Sequence, residues 1–258
     1  MVRKFFSRFY VGAILLFLYA PILILIILSF NQSKSRSKWG GFTFHWYVEL
    51  FHNRDIMAAL STTLVLAFSS ALIATIIGTT AALAINNMKK TPRVILMGIS
   101  NIPMLNADIV TGISLMLIFV ALNYTLGFTS VLIAHITFNI PYVILSVMPK
   151  LRQINANTYE AALDLGASPI FAFFKVILPD IFLGVLSGYF LAFTMSLDDF
   201  VITYFTKGPE INTLSTKIYT EVRKGIKPEI YALSTLMFIT VLLLLIVINR
   251  KNTPVQNL

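Results

Sequence analysis

The sequence predicts an all-α polytopic membrane protein with six transmembrane helices, and three observations support that prediction. Of the 258 residues, 57% are hydrophobic and only 12% are charged, and the mean hydropathy is +0.81. Soluble domains carry about 25% charged residues, so this chain has too little polar surface to cover a water-soluble globule. The apolar residues also fall into six long runs, and the charged residues lie mainly between them.

The net charge and the cysteine content exclude several other classes of protein. The formal net charge of +9 comes from Lys and Arg residues that lie between apolar runs, where they are typical of membrane topology rather than nucleic-acid binding. The chain has no cysteine, which excludes disulfides and thiolate metal sites. We find no solenoid-length repeat and no Gly/Ser linker, so residues 1–258 are predicted to form one transmembrane domain.

The predicted spans cover about residues 9–30, 58–85, 94–122, 129–148, 181–205 and 231–248. Runs of this length can cross a hydrocarbon core about 30 Å thick, since a helix rises about 1.5 Å per residue. Arg3, Lys4 and Arg8 precede the first run and no cleavage pattern follows it, which predicts a retained span rather than a signal peptide. Six spans place both termini on one side, and the positive-inside rule favours the cytoplasm only weakly.

Several spans carry residues that predict helix contacts. Gly78 in the second span, and Gly184 and Gly188 in the fifth, are small residues that let membrane helices approach closely. His135 and Asn139 lie one turn apart in the fourth span, and we expect interhelical hydrogen bonds rather than substrate contacts from them.

The third span is predicted to be broken by Pro103. It also holds Asn101, Asn106 and Asp108, which make its middle too polar to face lipid. We therefore expect it to line a pathway.

Residues 149–179 form a partly polar segment between the fourth and fifth spans. Residues 160–165 are good helix formers, and Gly166 can adopt the left-handed conformation that ends a helix. Ser168 and Pro169 then predict the start of a second short helix, and Leu178 with Pro179 is predicted to close the segment before the fifth span. This helix–turn–helix is interpreted as a docking surface, the alternative being an ordinary amphipathic hairpin.

The spacing within this segment resembles a known family. Glu160-Ala161-Ala162, three residues, Gly166, nine residues, Val176 and Leu178-Pro179 resemble the EAA loop of ABC importer permeases, EAA-x3-G-x9-I-x-L-P, with Val176 the one departure. The resemblance implies the type I permease fold in a bacterial cytoplasmic membrane, with this loop and both termini in the cytoplasm. It also implies the ATPase-coupling residues, which are Glu160, Ala161, Ala162, Asp164, Gly166, Leu178 and Pro179.

Four further runs, WGGFTFHWY, HITFNIPYV, AALDLGAS and SLDDFVITYF, are similar to permeases of bacterial spermidine/putrescine importers. The resemblance implies polyamine import, although permeases for ferric iron, phosphonates and thiamine share parts of these runs. It also implies a second permease subunit in a heterodimer, two ATPase subunits that use ATP and Mg, and an extracytoplasmic binding protein. The chain is also expected to contact membrane lipid.

Asp108, Asp198 and Asp199 are the candidate substrate-pathway residues. An Asp at the centre of a membrane helix costs about 2.5–3.5 kcal/mol, so such residues face a wet cavity or a partner. Polyamines are flexible chains of separated ammonium groups, which several carboxylates along a path would attract. Consecutive Asp198 and Asp199 point about 100° apart on a helix. One of the two is therefore expected to cap a helix or to pair with another group.

Ser196 and Trp46 are weaker candidates for the same pathway. Ser196 shares a helix face with Asp199 and would supply a neutral acceptor, while Trp46 would supply a cation–π surface. In each case a purely structural role remains the alternative.

The sequence lacks the motifs that would give the chain its own catalysis. The phosphate loop G-x-x-x-x-G-K-[ST] is absent, as are H-E-x-x-H, C-x-x-C and G-x-S-x-G. We therefore expect no enzyme activity, no cofactor and no metal site in this chain. A secondary transporter in which the three Asp residues relay protons remains a rival interpretation.

Overall fold

The computed structural model describes residues 2–35, 37–154, 156–225 and 227–252, and within these ranges the chain is helical with no strand. Asn31 and Phe42 form an isolated antiparallel bridge. The helices are α1 (Val2–Ser29), α2 (His45–His52), α3 (Arg54–Asn86), α4 (Lys90–Leu105), α5 (Asp108–Ala121), α6 (Phe128–Leu151), α7 (Ala156–Asp164), α8 (Pro169–Ala172), a π-helical turn (Phe173–Ile177), α9 (Leu178–Asp198), α10 (Val201–Thr206), α11 (Leu214–Lys224) and α12 (Pro228–Asn252).

Among the described residues, four stretches of helix have the length and the apolar composition needed to cross a membrane. They are Phe9–Ser29, Arg54–Asn86, Phe128–Leu151 and Pro169–Asp198. The pair α4 and α5 makes a fifth if the two helices count as one span. The sixth predicted span coincides with α12, whose apolar described part, Pro228–Leu243, is shorter than the others. The all-α membrane fold is confirmed, whereas the number six stays a prediction.

The third predicted span is bent by 104° between α4 and α5. The predicted break is confirmed, but it lies a few residues beyond Pro103, which is inside α4. Asn106 and Ala107 both have extended backbone conformations (ψ of 151° and 138°), and these two residues separate the helices. α5 then starts with the Val110 amide donating to the Ala107 carbonyl at 2.9 Å.

The prediction that Leu178 and Pro179 close a separate unit is wrong, because helix continues without interruption from Pro169 to Asp198. A proline inside an α-helix has no N–H to donate and its ring clashes with the carbonyl four residues earlier. A π-helical turn at Phe173–Ile177 ends two residues before Pro179 and contains Lys175, the residue four positions before this proline. The fifth span also ends at Asp198 rather than near residue 205, and α10 follows as a separate short helix.

Contacts within the chain define two compact units. The first comprises the described residues of Met1–Ala58 and Lys217–Val247, and the second those of Ala59–Thr216 and Ile248–Leu258. A single transmembrane domain over residues 1–258 stays a prediction.

In the first unit, an aromatic cluster follows α1. The Phe30 ring stacks on Phe42 with the ring centroids 5.1 Å apart, and it also contacts Phe44 and Tyr47. The Asn31 side chain holds the adjoining turn, because its Oδ1 accepts from the Gly40 amide at 2.8 Å.

In the second unit, α6 packs along α9, and α3 joins them in one hydrophobic core. The buried residues of this core are Ala71, Ala82, Ile85, Val143, Ile144, Val147, Met148, Leu151, Ile181 and Ala192. Gly184 makes the close approach possible, since a Cβ there would lie 2.9 Å from Lys150 Cγ and 3.1 Å from the Ser146 carbonyl oxygen. The predicted packing role of Gly184 and Gly188 is confirmed, and both face α6.

A smaller cluster joins α5, α6 and α10. Phe119, Ala134, Phe138 and Ile202 are buried together in it. This cluster fixes α10 against α5 and α6, directly after the break that follows α9.

Candidate functional site

Two of the candidate acids lie at the helix breaks of the second unit. Asp108 is the first residue of α5, directly after the 104° bend, and Asp198 is the last residue of α9. Both side chains are exposed. Neither carboxylate forms an ion pair with a residue that the structure describes. The folding of the helices therefore leaves two carboxylates open where apolar helices end.

Asp108 and Asp198 each lie shortly before a contact between α5 and α10 in the chain. A Cβ on Gly112 would lie 3.4 Å from Ile202 Cα and 3.5 Å from the Val201 carbonyl oxygen. Asp108 precedes Gly112 by one helical turn, and Asp198 precedes the Val201–Ile202 backbone by a similar number of residues. The two helix breaks thus directly precede α5 and α10, which pack against each other.

The two acids differ in their helix electrostatics. Asp108 lies in the first turn of α5, where the helix dipole stabilises a negative charge. Asp198 lies at the C-terminus of α9, where free carbonyl groups already give a negative potential. One carbonyl, that of Asp198, accepts from the Ser215 hydroxyl at 3.2 Å. An exposed carboxylate at a helix C-terminus favours a nearby cation.

The positive charge that follows this region, Lys207, is bonded within its own loop. Its Nζ donates to the Ile211 carbonyl at 3.0 Å and to Asn212 Oδ1 at 2.8 Å. Partial burial lowers the pKa of this ammonium group, since the charged form loses part of its hydration.

Asp199 has a different environment from Asp198, as the sequence predicted for one of the pair. Asp199 Oδ2 accepts from the Thr203 amide at 2.7 Å and from the Thr203 hydroxyl at 2.8 Å, and Oδ1 accepts from the Ile202 amide at 3.2 Å. These amides belong to the first turn of α10 and would otherwise lack partners. Asp199 therefore caps α10.

His135 of α6 connects the two sides of the break. Its Nδ1 lies 2.5 Å from Ser196 Oγ in the last turn of α9, and its Nε2 lies 2.9 Å from Thr203 Oγ1 in α10. The same Nε2 lies 3.4 Å from Asp199 Oδ2. His135, Ser196 and Thr203 are all buried.

The network extends to α3, because Ser196 Oγ lies 2.9 Å from Ser70 Oγ. The predicted interhelical bonding of His135 is confirmed. For Asn139 the same prediction is wrong among the described residues, where its buried amide has no hydrogen-bond partner. Ser70 and Thr203 were not found from the sequence. Ser196, proposed from the sequence as a pathway acceptor, is held inside this network.

Trp46 belongs to the first unit and is 4% exposed. Its indole N–H donates to the Asn31 carbonyl oxygen at 2.7 Å. This bond and the burial tie Trp46 to the turn that follows α1.

The EAA-like segment forms a capped helix–turn–helix. α7 ends at Asp164, and Gly166 follows in the turn with a φ of +87°. The Gly166 and Ala167 amides donate to the carbonyls of Leu163 and Ala162. Ser168 caps α8 through its hydroxyl, which accepts from the Phe171 amide at 3.3 Å, and Pro169 occupies the first turn. Both sequence predictions for this turn are confirmed.

The surface of this segment is apolar and open. Leu165 is 89% exposed, and Ile170, Phe171 and Phe174 are also exposed. Glu160 borders a cavity of about 380 Å³ that is lined by Leu83, Asn86, Asn87, Leu151, Ile154, Tyr159, Phe173 and Ile177. An exposed apolar edge beside a cavity has the character of a protein-binding surface.

The chain is similar to known membrane transport proteins over nearly its whole length. It is 36% identical to the spermidine/putrescine transport system permease protein PotC of Haemophilus influenzae, covering 98% of this chain and 99% of that protein. It is 40% identical to the putrescine transport system permease protein PotI of Escherichia coli, covering 86% and 81%.

A bacterial alginate ABC transporter, solved in complex with an alginate-pentasaccharide-bound periplasmic protein, has a chain of the same fold. The TM-score is 0.71 at 17% identity, covering 96% of this chain and 93% of that one.

Residues 74–253 match a family described as the inner membrane component of binding-protein-dependent transport systems. The match includes the EAA-like segment, both helix breaks and every member of the His135 network except Ser70. With the apolar helices, it identifies a multi-pass inner membrane protein. This chain belongs to the family of binding-protein-dependent transport system inner membrane components.

Proposed function

We propose that this chain is the permease subunit of an ATP-driven importer that carries polyamines such as spermidine and putrescine into the cell. The observation that carries the proposal is the full-length similarity to permeases named for these substrates. The placement of two open carboxylates at helix breaks supports it independently, because such groups suit a polycationic substrate.

In this proposal Asp108 and Asp198 line the substrate pathway. Both are exposed and neither is neutralised by an ion pair among the described residues. Separate carboxylates suit a polyamine, whose ammonium groups are spaced along a flexible chain. Asp199 and Ser196 then act on the pathway indirectly, since hydrogen bonds inside the protein already occupy them. Trp46 stays a proposed pathway residue, with its indole N–H donated to the Asn31 carbonyl oxygen.

The EAA-like segment is the proposed docking site for the ATPase subunits. Glu160, Ala161, Ala162, Asp164 and Gly166 form its first helix and turn, while Leu178 and Pro179 begin the helix that follows the π-helical turn. The loop and both termini then lie in the cytoplasm. ATP and Mg are used by the ATPase subunits and not by this chain, which lacks a phosphate loop.

The remaining proposed partners are a second, different permease subunit and an extracytoplasmic binding protein. Alternating access between two permease subunits then moves the substrate. Nucleic acid has no role in this assembly.

The test is uptake of radiolabelled spermidine and putrescine by cells without other polyamine importers that express this chain with its partner subunits. We expect uptake that stops when the phosphate loop of the partner ATPase is inactivated. If the cells take up ferric iron, a phosphonate or thiamine but no polyamine, the proposed substrate is wrong and the solute taken up is the substrate. Uptake driven by a proton gradient without ATP would favour a secondary transporter instead.

A further inference from the structure

The position of Asp198 depends on the two residues around which the chain breaks. Ser196 lies two residues before it in α9, and Asp199 directly follows it as the cap of α10. The Asp199 backbone is extended, with a ψ of 125°, so α9 does not run on into α10. The position of the Asp198 side chain relative to α10 is therefore set by the angle at this break.

His135 holds both sides of that break from a third helix. One ring nitrogen faces Ser196 at 2.5 Å, and the other faces Thr203 at 2.9 Å and Asp199 at 3.4 Å. The ring is completely buried, and its T-shaped contact with Phe138 restricts its rotation. A rigid ring with polar atoms at both ends fixes the distance between Ser196 and Thr203.

We infer that His135 is a positioning residue for the pathway, one that aims the carboxylate of Asp198 at the substrate without touching the substrate itself. This inference rests on the proposed function, because it assigns His135 to the pathway that Asp198 lines. His135 connects α9 to α10 across the break. Asp198, which carries the exposed carboxylate, lies in the chain between Ser196 and Thr203, the two residues that His135 contacts. Loss of the connection leaves Asp198 present but misdirected.

The variant His135→Leu tests this inference with little risk to folding. Each polar neighbour keeps another partner, since Ser196 retains Ser70 and Thr203 retains Asp199. We expect the KM for spermidine uptake by the assembled transporter to rise about tenfold, while maximal uptake per assembled complex changes less. His135→Gln, which retains a donor toward Asp199 and Thr203, should recover part of the lost affinity.

Ser130→Ala is the matched control. Ser130 is also fully buried in α6, and its hydroxyl donates to the Thr206 carbonyl of α10 at 2.7 Å. The Ser130→Ala substitution therefore removes a hydrogen bond between α6 and α10 that does not connect the two sides of the break between α9 and α10. We expect lower thermal stability of the complex and an unchanged KM.

The double variant His135→Leu/Asp198→Asn separates positioning from packing. If His135 acts through Asp198, this variant has the same KM as Asp198→Asn alone, because the charge to be aimed is already absent. Independent, multiplicative effects on KM would overturn the inference. An unchanged KM in His135→Leu would also overturn it, and would leave the proposed function intact if Asp198→Asn raises KM. An unchanged KM in Asp198→Asn would overturn both the pathway role of Asp198 and this inference.

Discussion

Asp199 Oδ2 accepts two hydrogen bonds from Thr203, one from the amide at 2.7 Å and one from the hydroxyl at 2.8 Å. Asp198, its neighbour in the chain, is exposed and forms no ion pair with a described residue. Two adjacent residues of the same type thus have different environments. Substitutions at the two positions are expected to change different properties.

Replacing Asp199 is expected to lower stability. Asp199→Ala removes the cap of α10, and loss of a cap costs about 0.5–2 kcal/mol. Asp199→Asn keeps an acceptor for the Ile202 or Thr203 amide and should cost less. Thermal unfolding of the purified complex in detergent measures both effects, and equal losses in the two variants would contradict the capping role.

Replacing Asp198 or Asp108 is expected to weaken substrate recognition instead. In each Asn variant the KM for spermidine should rise about tenfold, because one charge-assisted contact is lost. Glu210→Gln is the control, since it removes one exposed negative charge outside the helix breaks. An unchanged KM in both Asp variants, or an equal rise in the control, would exclude a specific acidic pathway.

A bulky residue at Gly184 is expected to separate α9 from α6. A Cβ at this position already lies 2.9 Å from Lys150 Cγ and 3.1 Å from a backbone oxygen. Gly184→Leu should therefore destabilise the protein by about 1–3 kcal/mol, the usual cost of overpacking. Gly12→Leu is the matched control, because a Cβ at Gly12 in α1 would have no atom within 4 Å. Comparable unfolding temperatures for the two variants would contradict this packing.

At Gly166, the cost of a substitution is expected to depend on the backbone conformation of the new residue and not on its side-chain volume. Its φ of +87° disfavours L-residues, whereas no atom lies within 4 Å of a Cβ at this position. A non-glycine residue in this region costs about 1–3 kcal/mol, least for Asn. Gly166→Val should reduce spermidine-stimulated ATP hydrolysis by the assembled transporter more than Gly166→Asn. The reverse order would show that the turn conformation does not govern coupling.

Local signals in the sequence predicted much of this architecture. Apolar length placed the spans, and Gly166, Ser168 and Pro169 predicted the turn in the docking segment because their conformational preferences are intrinsic. The break near Pro103 was also expected. The break after Asp198 was not, because no proline or glycine marks it. It depends on capping by Asp199, for which the four-residue spacing to Thr203 is the one local signal.

The His135 network was harder to predict, because its members are distant in the chain. Ser70 and Ser196 are separated by 126 residues. Each is an ordinary small polar residue in an apolar helix, so nothing local distinguishes it from the other Ser and Thr residues of the same spans. Their pairing follows from the way α3, α6 and α9 pack, which single-sequence patterns do not determine.

The π-helical turn has a mechanical consequence. Since the helix continues through this turn and Pro179, residues 169–198 form one rod of 30 residues, about 45 Å long at 1.5 Å per residue. Ser168 precedes one end of the rod in the EAA-like turn, and Asp198 occupies the other end. A continuous helix can transmit a tilt at one end as a displacement of the other end. We therefore expect motion of the EAA-like turn to move the Asp198 carboxylate as well.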